Sequence, residues 1–315
     1  METHIEEPAA PRTAPRIAVL FPGQGVQRPG MGEPWRDSPS WALVEEVSRA
    51  SGFDVAHLLL AADQETLSRT DHAQISVFTA SLLAWSEFRR TDPEADVVAV
   101  AGHSLGEYAA LVAAGVLSVA DGAWLVGERG RAMADAARLR PGAMAAVMGA
   151  GPDAVQALVA AAGDDLWVAN HNSPQQTVIA GSRTAVQEAA DRAAGAGLRC
   201  TVLPVTAACH TPLMAPAATP LRQALDLTQF TPGTLPVVAN VDATVHEGGP
   251  HWRELCTRQL TGPVHWTATL RVLNETLAAT TFLDIGPGAT LSALTRRNLP
   301  DAESLRFRAP AVQGA

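Results

Sequence analysis

Ser104 sits in Gly102-His103-Ser104-Leu105-Gly106, between the apolar run 97–101 and an Ala/Leu-rich stretch, 105–114, that stops at Gly115. The run reads as a buried strand and the stretch as a helix. A serine between glycines at a strand-to-helix turn has its Oγ pushed out of the sheet edge, with the helix N-terminus aimed at it. Such a serine is expected to be a nucleophile; the plainer reading is a hydroxyl that only caps the helix. A serine needs a base, and the chain has nine histidines. His103 adjoins the serine, but neighbouring side chains at a sharp turn point apart, which favours packing beside the elbow. His210, in Cys209-His210-Thr211-Pro212-Leu213-Met214, is a candidate at a helix start, and His171, between Asn170 and Asn172, is its rival. Acyl transfer would also need backbone N–H groups facing a developing oxyanion. The amide of Leu105 and an amide from the loop Gly23-Gln24-Gly25 are candidates. Arg129 lies in an otherwise apolar helical stretch, either as a solvated partner of Glu128 or Asp135 or as a fork gripping a carboxylate.

These side chains require a sheet and helices to hold them. Ile17–Phe21 reads as a strand ending at Pro22-Gly23-Gln24-Gly25, 74–88 and 123–137 read as helices, and strands return at 237–239 and 281–285. Between them the pattern changes. Strands are predicted at 143–148, 166–169, 177–180 and 199–203, with helices at 152–162 and 184–196. That order, strand-helix-strand-strand-helix-strand, is the split βαβ unit of ferredoxin-like folds. Residues 1–15 read as a disordered leader, 16–140 and 206–315 as one catalytic subdomain, and 141–205 as a small inserted one.

The 315 residues, 47% of them hydrophobic, suffice for a large core. A net charge of −9 argues against a nucleic-acid surface, and all 23 basic residues are arginine. Three cysteines without C-x-x-C spacing support neither a disulfide framework nor a zinc site. No apolar run of about 18 residues occurs, so no membrane span and a cytoplasmic location are expected.

The ordered set Pro22-Gly23-Gln24-Gly25, Gly102-His103-Ser104-Leu105-Gly106-Glu107-Tyr108, Arg129-Gly130-x-x-Met133, Asn172-Ser173-Pro174, His210-x-x-Leu213-Met214, Gln259-Leu260 and Asp284-Ile285-Gly286-Pro287-Gly288 resembles the malonyl-CoA:acyl carrier protein transacylase family. The likeness runs from about residue 16 to 299. It implies an α/β fold with an α/β-hydrolase-like large subdomain and an inserted ferredoxin-like small one. It implies Ser104 as nucleophile, His210 as base, and the backbone carbonyl of Gln259 as the group orienting the imidazole. The amides of Gln24 and Leu105 would form the oxyanion hole. Arg129 would bind the acyl carboxylate, and Gln74, Asn172, Cys209 and His103 would line the substrate site. No metal and no bound cofactor are implied; a CoA thioester is the substrate and an acyl carrier protein the partner, with Arg183, Arg296 and Arg297 as candidate contacts. A monomer is expected, in polyketide or fatty acid biosynthesis.

The segment Ala207-Ala208-Cys209 departs from the residues usual before this histidine in malonyl- and methylmalonyl-selective modules. It leaves malonyl, methylmalonyl and ethylmalonyl open. Alternatives are an editing hydrolase acting on acyl carrier proteins, a transferase of a non-malonyl acyl group, an ordinary esterase using a late pair such as Asp242 and His265, and a catalytically silent docking scaffold.

Overall fold

The computed structural model describes residues 14–308. Residues 1–13 of the expected leader lie outside the described residues. The elements follow one another as β1 (Ile17–Phe21), α1 (Ala42–Ser51), α2 (Val55–Leu60), α3 (Gln64–Ser68), α4 (Thr70–Thr91), β2 (Val97–Gly102), α5 (Gly106–Ala113) and α6 (Val119–Leu139). Then come β3 (Gly142–Met148), α7 (Pro152–Ala160), β4 (Leu166–Ser173), β5 (Gln176–Ser182), α8 (Arg183–Gly195) and β6 (Arg199–Val202). The chain ends with α9 (Ala215–Leu227), β7 (Val237–Val238), β8 (Val245–His246), α10 (Trp252–Thr261), α11 (Trp266–Arg271), β9 (Thr281–Asp284), α12 (Thr290–Asn298) and β10 (Glu303–Arg306).

Six strands form one sheet in the order β10-β9-β1-β2-β7-β8, parallel except for β8. Alternate residues of β1 serve opposite faces. Ile17, Val19 and Phe21 join a core with α4, α5 and α6, while Ala18 and Leu20 pack with Trp266, Leu270, Leu291 and Leu294 of α11 and α12. A parallel sheet covered on both sides buries every residue of its central strand, which is why β1 reads as an unbroken apolar run.

The other four strands form an antiparallel sheet in the order β4-β5-β3-β6, with α7 and α8 supplying Val155, Ala185, Val186 and Ala189 to its own core. This is the ferredoxin-like order. Val264 ties the two sheets together: its N–H donates to Ala169, its carbonyl accepts from the His171 amide, and the next amide, His265, donates to the Asn240 carbonyl at the end of β7.

Among the differences from the sequence reading, three have a plain physical or geometric basis. Strand β4 extends through Asn170, His171 and Asn172 to Ser173, because pairing with β5 and Val264 outweighs the low strand preference of asparagine. Strand β10 has no apolar signature, since it is an edge strand with one side free. The helix after the elbow starts at Gly106 rather than Leu105. No helix among the described residues is long and apolar enough to cross a membrane.

Candidate active site

Strand β2 delivers the chain to Ser104, and α5 carries it away after a turn too tight for side chains at its flanks. A Cβ on Gly102 would stand 1.9 Å from the Gly106 carbonyl carbon, and one on Gly106 would stand 2.1 Å from the Phe21 carbonyl oxygen. Both glycines are required by that close approach. Ser104 itself has φ 51°, a left-handed conformation costly for a residue with a side chain, and such strain collects at functional sites. The strain is held in place by Asn240. Its Oδ1 accepts from the Ser104 amide and its Nδ2 donates to the Gly102 carbonyl, both at 2.6 Å.

His210 also lies in the left-handed region, φ 62°, just before the turn Pro212–Met214, and Thr211 caps that turn. Its Nδ1 is 2.8 Å from the Gln259 carbonyl and its Nε2 is 2.7 Å from Ser104 Oγ. A carbonyl can only accept, so Nδ1 carries the proton and the Nε2 lone pair faces the serine hydroxyl. Burial and the neighbouring Arg129 charge lower the imidazole from the ordinary histidine range to about 3, so it stands as the neutral base form. Among the described residues, no backbone or side-chain acceptor takes the amides of Gln24 or Leu105, whereas the Ser104 amide is taken by Asn240. The loop carrying Gln24 lies against the elbow, a Cβ on Gly23 falling 2.5 Å from the His103 carbonyl oxygen.

Arg129 is 1% exposed, so it is not the solvated partner of Glu128 or Asp135; those carboxylates pair with Arg131 and Arg138. Its Nη1 donates to Gln74 Oε1, and its Nη2 donates to Gln259 Oε1 at 3.1 Å, with a longer 3.4 Å contact to Ser104 Oγ. Its Nε is buried without a partner, and its guanidinium lies 5.5 Å from the Tyr108 ring. No described carboxylate forms a salt bridge with it. Gln259 is a junction: its Nε2 donates to the Ser104 carbonyl at 2.8 Å and to Glu107 Oε1 at 3.1 Å, while Glu107 Oε2 accepts from the Asn240 amide. Burial pushes the Glu107 carboxyl up to about 8 against these donors and the Arg129 charge.

The remaining sequence candidates take distinct places. His103 Nε2 donates to Asn172 Oδ1 at 2.8 Å, and its ring packs edge-on against Trp266 at 5.3 Å. Cys209 is half-buried between the large core and the cluster of Met144, Val178 and Ala208, with burial raising its thiol. His171 stacks on His265 at 5.3 Å, and Asp242 bonds His246, so neither the rival base nor the esterase pair bonds Ser104. Asn240, Glu107 and the Gln259 side chain were not singled out from sequence. Asn240 carried one available signal, a polar residue just beyond a strand's C-terminal end, where parallel sheets build their sites.

Beyond Asn172 opens a cavity of about 590 Å³ lined by Ser173, Pro174, Gln175, Arg199 and Arg297 with Met148, Gly149 and Gly197. Arg297 lines it; Arg183 and Arg296 do not, and Arg199 carries the second charge there. No group of three or more His, Cys, Asp or Glu among the described residues is placed to hold a metal ion.

The family model described as "Acyl transferase domain" matches residues 19–309. The malonyl CoA-acyl carrier protein transacylase of Escherichia coli K12 is 36% identical over 308 residues, covering 95% of this chain and 98% of its own. A crystal structure of malonyl-CoA:acyl carrier protein transacylase from Xanthomonas oryzae superposes with a TM-score of 0.90 at 37% identity, covering 95% and 96% of the two chains. A type II polyketide synthase acyl carrier protein in complex with its malonyl-transacylase matches with a TM-score of 0.88 at 33% identity, covering 94% and 96%.

Proposed function

The chain belongs to the acyl transferase domain family, and from that premise we propose how its residues carry the reaction. The protein is an acyltransferase that moves a malonyl group from CoA to an acyl carrier protein, as its relatives' names state for them. Ser104 Oγ attacks the thioester carbon while His210 Nε2 takes the hydroxyl proton. The oxyanion is received by the amides of Gln24 and Leu105, the C–S bond breaks, and the imidazolium returns the proton to the departing CoA sulfur. In the second half-reaction His210 takes the proton of the carrier's phosphopantetheine thiol. That sulfur attacks the acyl-serine, and the proton goes back to Ser104 Oγ. The Gln259 carbonyl keeps the imidazole in the required tautomer throughout.

Arg129 holds the acyl carboxylate with Nε and Nη2, the donors not fully engaged by the two glutamines. Gln74 fixes the guanidinium, His103 and Asn172 form the wall toward the thioester, and Cys209 borders the acyl α-carbon. The cavity with Arg199 and Arg297 fits the phosphates of CoA, and the same arginines fit an acidic carrier. We read 141–205 as the inserted subdomain that forms one side of this cleft.

The observation carrying the reading is the Ser104–His210–Gln259 geometry beside a buried arginine that has no carboxylate partner among the described residues. The test incubates the protein with malonyl-, methylmalonyl-, ethylmalonyl- and acetyl-CoA and reads the mass added to the Ser104 peptide. A holo-carrier is then added. Malonyl should load and pass to the carrier. Adducts on another residue overturn the site, and release of free acid in place of transfer identifies an editing hydrolase.

A further inference from the structure

The base sits beside a buried positive charge that no described carboxylate pairs. Arg129 Nη2 is 3.4 Å from Ser104 Oγ, and that oxygen is 2.7 Å from His210 Nε2. The guanidinium is held by two amide oxygens, one buried N–H has no partner, and no described carboxylate pairs with it. The other titratable groups around the site do not pair with that charge: burial raises the Tyr108 phenol and the Cys256 thiol, and Asp71 of α4 pairs with Arg69. His103 is buried, and burial lowers its imidazole. Burial raises the Cys209 thiol. Glu107, which burial pushes up to about 8, accepts from the Gln259 side chain and the Asn240 amide and makes no hydrogen bond to the guanidinium. A neighbouring cation disfavours protonation of an imidazole.

We propose that the acyl carboxylate is also the switch for the base: by neutralising Arg129 it restores the basicity of His210, so base catalysis is strong only when the acyl group carries a carboxylate. The proposal rests on the functional reading above and deepens it. Selection is then made twice, once in binding and once in the chemistry. A neutral acyl group that enters meets a weakened base as well as an empty clamp.

The size follows from the geometry. With the charges within about 6 Å and an effective dielectric of about 20, full neutralisation restores about two pH units to His210. If half of that change is expressed in the rate, acylation by a neutral group is slower by about tenfold from this cause alone.

The test follows single-turnover acylation of Ser104 by mass, at saturating malonyl-CoA and acetyl-CoA, from pH 4.5 to 8, in wild type and Arg129→Met. In wild type the malonyl rate should fall on an acid limb near pH 5, while the slower acetyl rate stays flat to pH 4.5. In Arg129→Met the acetyl profile should acquire the acid limb and its plateau should rise about tenfold. Coincident malonyl and acetyl limbs in wild type overturn the proposal, and that comparison needs no variant. An acetyl profile unchanged by Arg129→Met in a folded protein overturns it as well. Absence of malonyl on Ser104 at every pH overturns the functional reading instead. Malonyl-Ser104 formed with a flat profile overturns the switch alone.

Discussion

Arg129→Ala separates a carboxylate clamp from a structural arginine. The substitution removes the donor proposed to face the malonyl carboxylate and leaves the side-chain oxygens of Gln74 and Gln259 in the pocket. Truncating one member of a buried, hydrogen-bonded charge pair costs about 2–5 kcal/mol. The middle of that range corresponds to a loss of malonyl loading of several-hundred-fold. The guanidinium is 1% exposed and held at both nitrogen ends, so little of the interaction is screened or lost to side-chain motion. Acetyl-CoA makes no use of the fork, and its loading should rise. The assay compares initial rates of Ser104 acylation by malonyl-CoA and acetyl-CoA in wild type and variant at equal enzyme, with far- and near-ultraviolet circular dichroism to establish the fold. Equal loss for both substrates in a folded variant would refute the clamp and make Arg129 a core element.

His210→Ala should slow loading and transfer by about 10²–10⁴-fold, the usual worth of a general base, while His171→Ala stays near wild type; the reverse pattern in the same mass assay moves the base to His171. Asn240→Ala removes two 2.6 Å hydrogen bonds that hold the strained elbow, and each buried loss is worth about 1–3 kcal/mol. A drop in kcat of at least tenfold with KM nearly unchanged is expected, and a change confined to KM would place Asn240 in binding. Glu107, raised to about 8, binds its proton more tightly folded than unfolded. Its ionisation therefore lowers stability as pH rises from 4.5 through about 8. Glu107→Gln should flatten the decline in urea midpoint between pH 6 and 9, and a slope equal to wild type would show that Glu107 is ionised throughout.

The parallel sheet and the elbow were legible because their signals are local. An apolar run, a glycine-bounded serine and an Ala/Leu helix occupy fewer than twenty consecutive residues, and the ferredoxin-like order follows from alternation of short elements. His210 was not separable from His171 by composition, because a base is defined by what its ring meets, and Ser104, His210 and Gln259 come from three distant segments. The roles of Asn240 and Glu107 were hidden for the same reason. Asn240 stood only as a polar residue after a strand and Glu107 only as part of the motif around Ser104, and each acts through a contact more than a hundred residues away in sequence. The resemblance placed His210, Gln259 and Arg129 where spacing alone left them open.

Arg129 is the residue whose local pattern misleads most. With Glu128 before it and Arg131 two residues after it in a helix, it reads as one more surface charge, and the i, i+3 partner that Glu128 finds is Arg131 instead. What buries Arg129 is the packing of α4 and α5 against α6, which brings Gln74 and Tyr108 to it, while Gln259 reaches it from α10 through its side chain. A protein that needed only to bury this side chain would pair it with a carboxylate, because an unpaired buried charge is costly. Here the ligands are amides, which orient the guanidinium without cancelling its charge, and the carboxyl of Glu107, bonded to one of those amides, is pushed up by burial. On the proposed reading, the cost is accepted in the empty site and relieved when a carboxylate enters. That arrangement separates a malonyl transferase from a hydrolase of neutral acyl chains, for which an uncompensated cation beside the nucleophile would only weaken its base.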